Sequence, residues 1–334
     1  MFNSQTDMLP IIFSLARTTL SEAERQLFTR SQPAGFILFQ RNCENPNQVK
    51  QLTDALRECI NQKDIPILID QEGGRVTRLQ PPHWWVAPSA SSYLQETNDL
   101  REAAYRAKID AKNIAQDLRN IGINVNCSPV LDCPIPEADL VIGTRAYSNS
   151  PSEIITMAKA VIEGFQEEGV IPVIKHIPGH GRALVDSHEA LPVVKTSLKE
   201  LSERDFLPFK ALAKSVTWAM SAHIIYTAID PENCATISPV VIQEIIRKQI
   251  GFEGILVTDD LTMKALSGDL VSKVNRSLEA GCDLTLYCDG KLEDMEYLAD
   301  NIIPIKPILF NPKISSINTI NRKADLTNTI SRKL

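Results

Sequence analysis

Several polar segments of this 334-residue chain combine acids, bases and cations at spacings that could do chemistry. Asp70 opens the run DQEGGRVTRL, in which Glu72, Gly73 and Gly74 read as a tight turn, and Arg78 follows eight residues after the aspartate. Arg145 lies in IGTRAYS, Lys175 and His176 open KHIPGHG, His223 ends TWAMSAH, and Asp259 and Asp260 stand together in VTDDLTM. Carboxylates beside Arg and Lys suit a polyol pocket, because each sugar hydroxyl both donates and accepts a hydrogen bond. Asp70 reads as a carboxylate free to accept from such hydroxyls. Taken singly, Arg78 and Arg145 are equally well explained as members of surface salt bridges.

Four of the five histidines fall between 176 and 223. The segment 176–192, HIPGHGRALVDSHEALP, holds three of them with two glycines and two prolines. It looks too irregular for a helix and too polar for core, so a long loop over one end of the fold is expected, mobile over roughly 179–191. Within it Asp186 precedes His188 by two residues. A carboxylate holding one imidazole nitrogen fixes the tautomer and stabilises the imidazolium, leaving the other nitrogen as an acid or base near neutral pH. A bare Asp-x-His is weak evidence, since Asp and Ser also favour turns. Asp259 and Asp260 end an apolar run, where a buried aspartate is costly unless something uses it. In extended backbone one of the two points inward. One reading makes a nucleophile of one and a turn cap of the other, and alternation does not choose between them.

Something must bring these segments together. Short apolar runs rich in Ile and Val alternate with amphipathic stretches, the pattern of parallel strands covered by helices. Strands are predicted at 9–15, 35–39, 66–70, 122–126, 171–175, 217–223, 254–258 and 283–287. Helices are predicted near 21–30, 46–62, 99–120, 152–168, 199–214, 238–250, 269–280 and 291–301. Ser21 with Glu24 reads as a capping box, Pro46 as a helix start, and Gly122 and Gly169 as helix stops. Eight such units in succession predict a single (β/α)₈ TIM-like barrel with a long catalytic loop after strand five, an open doubly wound sheet being the competitor. In a barrel the polar segments, which follow strands three to seven, all face one side.

Composition narrows the function. The chain is 43% hydrophobic and 23% charged with a net charge of −6, which argues against a nucleic-acid partner. Seven cysteines without a CxxC pair argue against a disulfide framework or zinc site and fit a reducing compartment. The start lacks a basic segment before its short apolar run, and no stretch approaches ~18 apolar residues, so neither a signal peptide nor a membrane span is expected. A cytoplasmic, monomeric protein follows as the expectation. No linker divides the chain: the catalytic barrel is expected over 1–301 and a C-terminal helix or arm over 302–334, where six Lys or Arg face only Asp325.

DQEGGRVTRL, IGTRAYS, KHIPGHG, the later DSH and VTDDLTM, in this order, resemble glycoside hydrolase family 3, and within it the bacterial β-N-acetylglucosaminidases of peptidoglycan recycling. The resemblance runs from about residue 9 to about 290; Ile177 stands where phenylalanine is common. It implies that Asp259 is the nucleophile and His188 the general acid/base, supported by Asp186. It implies that Asp70, Arg78, Arg145, Lys175 and His176 bind a non-reducing N-acetylglucosamine. A retaining mechanism without metal or cofactor follows, with a disaccharide or muropeptide ending in anhydro-N-acetylmuramic acid as substrate. Three alternatives remain open: phosphorolysis, a metal-dependent hydrolase built on His176, His180, His188 and an aspartate, and a sugar-binding protein without activity.

Overall fold

The computed structural model describes residues 7–97, 99–187 and 190–307. Eight strands, β1 Leu9–Phe13, β2 Pro33–Leu38, β3 Ile67–Ile69, β4 Val125–Asn126, β5 Ile171–Ile177, β6 Trp218–Ser221, β7 Ile255–Asp260 and β8 Leu284–Tyr287, pair in parallel in chain order. The barrel closes through β8 and β1, where Ile11 lies opposite Thr285 and Phe13 opposite Tyr287. The predicted barrel is therefore the observed one, and the open sheet is excluded.

Alternation along the strands separates two apolar layers. Ile12, Val173, Val257 and Leu286 belong to an interior cluster that also holds Trp218 and Met220. Their neighbours Phe13, Ile174, Leu256 and Tyr287 pack outward against helices. The interior is thus filled with side chains, as a closed eight-stranded barrel requires, and polar groups gather where the strands end.

The helices follow the predicted pattern. Pro46–Ile60 buries Val49, Leu52, Thr53, Leu56 and Ile60, the three-and-four spacing of one face. Pro46 occupies the first turn after an Asn45 cap, and Ser21 with Glu24 forms the expected capping box on Glu22–Ser31. The helix predicted near 199–214 is instead three consecutive segments, Leu198–Glu200, Leu201–Asp205 and Leu207–Leu212, with Pro208 opening the last.

Strand lengths differ from expectation, with identifiable causes. β4 has only two residues, because asparagine side chains take over its pairing. Asn124 Oδ1 accepts from Ile67 N at 2.7 Å, and Asn126 bridges both backbone groups of Gln71 at 2.9 Å. β5 and β7 run two residues further than expected, into the polar segments. The register of β5 against β6 shifts between Lys175 and Ile177, an irregularity of the kind that re-aims side chains at barrel rims.

A second, two-stranded parallel sheet joins Val193–Val194 to Ile225–Tyr226. Two-residue strands carry no alternation, so no local pattern marks this sheet in advance. After the last helix, Leu292–Asn301, the chain returns to the start of β1, where Met8 and Ile305 exchange backbone hydrogen bonds. The arm expected over 302–334 lies, beyond 307, outside the described residues. No helix among the described residues is long and apolar enough to cross a membrane.

Candidate active site

The strand ends carry two groups of polar side chains. The first is a lattice of charges. Lys175, at the end of β5 and 1% exposed, sets its Nζ 2.8 Å from Asp70 Oδ1 and 2.7 Å from Glu72 Oε1. Arg145 grips Glu72 with two parallel bonds, Nε to Oε2 at 2.9 Å and Nη2 to Oε1 at 2.8 Å. Arg78 reaches Asp70 Oδ2 at 3.2 Å. Gly73 and Gly74, both at positive φ, turn the chain so tightly that a Cβ on Gly73 would lie 2.4 Å from the Pro88 carbonyl oxygen. This turn presents Glu72 beside Asp70.

Two expectations are corrected here. Asp70 is not a free carboxylate: each oxygen already holds a cation, although each keeps a lone pair for a ligand. Arg145 belongs to no surface salt bridge but to an interior bidentate pair. Burial presses the Asp70 and Glu72 carboxyls upward, but Lys175, with Arg78 or Arg145 beside it, outweighs that and holds both below the usual range. Burial likewise works against the Lys175 ammonium, and Asp70 and Glu72 overcome it, so its pKa is raised. Asp70, Glu72 and Lys175 therefore stay charged at any physiological pH.

The second group is built on histidines. Asp132, fully buried after β4, accepts from His180 N at 2.6 Å and His176 N at 3.2 Å, and lies 2.6 Å from His176 Nδ1. Burial raises the Asp132 carboxyl, but His176 and these bonds bring it below its ordinary value. With Nδ1 committed to the carboxylate, Nε2 is the His176 ring nitrogen left for other partners. His223 is buried two residues past β6, its Nε2 3.0 Å from the Asp260 carbonyl oxygen and its Nδ1 2.7 Å from Thr236 Oγ1. A carbonyl only accepts, so Nε2 carries the proton, and burial keeps this imidazole neutral by lowering its pKa.

The two adjacent aspartates part company. Asp260 is spent on the turn: Oδ1 accepts from Thr262 N at 3.0 Å and Cys288 N at 3.2 Å, and Oδ2 from Thr262 Oγ1 at 2.5 Å. Burial, only partly offset by these bonds, raises its carboxyl. Asp259 accepts from Asp260 N at 2.8 Å. Burial pushes the Asp259 carboxyl up, but His176, His223, this N–H and Lys175 outweigh it, leaving the acid below its usual range. Lys175 and the N–H act at neutral pH as well, when His223 carries no charge.

The barrel thus brings together Asp70, Arg78, Arg145, Lys175, His176 and Asp259 of the residues singled out in the sequence. Asp186 is described and half-buried, two residues ahead of His188; His188 itself lies outside the described residues. The described residues from 178 to 192 form the irregular loop expected, but its first part is not polar surface. Residues 176–181 are buried, because β5 continues to Ile177 and Asp132 answers the backbone beyond it. Asp132, Glu72 and Thr236 were missed as site residues. Asp132 carried the signal that marked Asp70 and Asp259, a carboxylate closing an apolar run (SPVLD), but it stands six residues past the end of β4 at Asn126, beyond where a strand end was expected. The seven cysteines are unpaired, and among the described residues no cluster of three or more His, Cys, Asp or Glu is arranged to hold a metal.

A closed parallel barrel with acids, cations and imidazoles at the strand ends fits a sugar-processing enzyme. The family model for the glycosyl hydrolase family 3 N-terminal domain matches residues 7–306. The chain belongs to this family and is a glycoside hydrolase. Among its relatives, a β-hexosaminidase of Methylococcus capsulatus is 36% identical over 83% of this chain and 82% of its own length. A β-hexosaminidase of Pseudomonas aeruginosa is 34% identical over 84% and 82%. Among solved structures, NagZ from Neisseria gonorrhoeae in complex with N-trifluoroacetyl-D-glucosamine superposes with a TM-score of 0.82 at 29% identity, covering 92% of this chain and 88% of that one. A family 3 β-N-acetylglucosaminidase from Paenibacillus gives 0.80 at 32% identity, covering 87% and 56%.

Proposed function

We propose that the enzyme is a retaining exo-β-N-acetylglucosaminidase acting in the cytoplasm on peptidoglycan fragments, N-acetylglucosaminyl-β-1,4-anhydro-N-acetylmuramic acid with or without its peptide. The observation that carries this reading is Asp259: a carboxyl at the end of β7 that accepts only from Asp260 N among the hydrogen bonds described, with its pKa lowered by His176, His223 and Lys175, while its neighbour Asp260 is consumed by the turn. The β-hexosaminidase and NagZ relatives support the sugar.

In the proposed reaction Asp70, Arg78, Arg145, Lys175 and His176 hold the hydroxyls of the sugar. Asp259 attacks the anomeric carbon as its bond to the leaving oxygen breaks. His188, as imidazolium steadied by Asp186, gives that oxygen a proton. Water, deprotonated by the now neutral His188, then displaces Asp259 from the glycosyl ester. Two inversions at one carbon give net retention. Most retaining enzymes assign these roles to two carboxyls about 5–5.5 Å apart. A neutral imidazole base, by contrast, does not repel an anionic aglycone.

The test is turnover of a nitrophenyl β-N-acetylglucosaminide against the matching β-glucoside, followed by the anhydromuramic disaccharide. Preference for the acetamido sugar, initial release of the β-anomer and rates independent of phosphate are expected. Equal rates on the glucoside would reject the sugar assignment, and a requirement for phosphate would make the enzyme a phosphorylase.

A further inference from the structure

Beyond His180 the chain places its side chains against ordinary preference. Leu184 and Val185 are 60% and 41% exposed, whereas Ser187 is 3% exposed. Apolar residues outside and a serine inside call for a specific contact. That contact is with His180, itself buried, whose Nε2 lies 3.2 Å from Ser187 Oγ.

His180 is a fixed post. Its N–H is held by Asp132 at 2.6 Å, and the preceding carbonyl, of Gly179, accepts from Tyr226 Oη at 2.6 Å. Gly181 is pressed so close to Cys133 that a Cβ would lie 2.2 Å from its carbonyl oxygen. Arg182 is clamped by Asp205 and Glu200, each at 2.8 Å. Burial lowers the His180 pKa to about 4, so the ring is neutral at working pH. Its Nδ1 is buried without a hydrogen-bond partner among the described residues. An unused lone pair is tolerated better than an unpaired N–H, so the proton sits on Nε2 and is donated to Ser187 Oγ.

We infer that His180 is a positioning residue that, through Ser187, docks the segment ending at Ser187 against the barrel, directly ahead of the residue proposed as proton donor. This rests on the acid/base role proposed for His188. His180 touches neither substrate nor the reacting atoms in this scheme, and the anchored stretch 176–183 is its support.

The experiment compares Ser187→Ala, His180→Leu, His180→Gln and the double variant His180→Leu/Ser187→Ala, with His188→Ala as the reference. Two substrates are used: a GlcNAc-β-1,4-linked disaccharide and an activated dinitrophenyl glycoside, the latter read by the rate of its initial burst. Misplacing a catalytic group by about 1 Å can cost 10²-fold. Ser187→Ala should therefore lower kcat on the disaccharide between about 10- and 100-fold, with the burst rate and Tm little changed. His180→Gln keeps an N–H near the Nε2 position and should recover most of the activity. The double variant should be no worse than the more damaged single variant, as expected of coupled neighbours. Should His180→Leu fail to fold, Ser187→Ala and His180→Gln decide. An unchanged kcat for Ser187→Ala beside a crippled His188→Ala would overturn the inference while sparing the mechanism, as would equal losses on both substrates. An unharmed His188→Ala would instead remove the acid/base reading on which it stands.

Discussion

On the β3–β5 side of the barrel mouth, charge answers charge within the protein: Lys175 bridges Asp70 and Glu72, and Arg145 and Arg78 close the lattice. On the β5–β7 side, two of the titratable groups are imidazoles that burial keeps neutral, His180 and His223, and Asp132 and the Asp260 carbonyl orient the chain around them. The difference separates two tasks. Groups whose pKa values are driven away from neutrality offer a ligand fixed donors and acceptors and cannot exchange protons with it. His180 and His223, held neutral by burial, act instead as fixed hydrogen-bonding groups, which leaves proton transfer, in the proposed reaction, to the imidazole of His188. In the proposed reaction, holding the sugar and moving the proton thus fall to different residues.

The largest effect should come from Asp259→Asn. An amide cannot form the glycosyl ester, so steady-state turnover should fall to near background while the melting temperature and sugar binding stay close to those of the parent. Loss of binding in this variant would erase the boundary between the two sides.

His188→Ala should cost roughly 10²–10⁴-fold on a sugar leaving group, the usual contribution of a positioned acid or base. The first step on an activated nitrophenyl substrate should suffer much less. Azide, which needs no deprotonation, should restore turnover and give a β-glycosyl azide. Lattice variants should show neither leaving-group dependence nor azide rescue.

On the lattice side, Lys175→Met leaves Asp70 and Glu72 facing each other without their shared cation. Removing one partner of a buried ion pair costs about 3–5 kcal/mol. Chemical denaturation should show that loss, and KM should rise alike for substrates with good and poor leaving groups. A stable variant with an altered pH profile would show that the lattice takes part in proton chemistry after all.

The smallest effect is a pH slope. His180 titrates at about 4 in the folded chain against 6.5 for an ordinary histidine, and His223 is lowered too. As pH falls through 6.5 the unfolded chain takes up protons that the folded one refuses, so stability declines between about pH 6.5 and 4. The slope is about 1.4 kcal/mol per pH unit for each such histidine. Below that window the lowered carboxyls of Asp70, Glu72, Asp132 and Asp259 add a further loss as they protonate. His180→Gln should flatten the upper part of the curve, measured by thermal melting from pH 7 to 4.5. A slope unchanged in this variant would mean that His180 takes up its proton in the folded state.

The barrel itself was legible in the sequence because its signals are local. An apolar run of four to six residues, a helix stripe at three-and-four spacing and a cap such as Ser21–Glu24 each depend on residues within a few positions of one another. The residues at the strand ends were legible for the same reason, since a carboxylate closing an apolar run stands out wherever it occurs. What those residues are bonded to was not. Lys175 and Asp70 are 105 positions apart and Arg145 and Glu72 are 73 apart, so no local pattern records that Asp70 is already shared between two cations. Asp132 escaped notice because it lies six residues beyond the end of β4, and only the pairing of Val130 and Leu131 with Lys175, about 45 positions away, brings it back to the strand ends. The pair Asp259–Asp260 is the sharpest case. Side by side the two are chemically identical, and tertiary structure alone tells them apart: Cys288, 28 residues away, helps Thr262 hold Asp260 in the turn, while Asp259 faces the His176, His223 and Lys175 that two other segments of the chain bring to it.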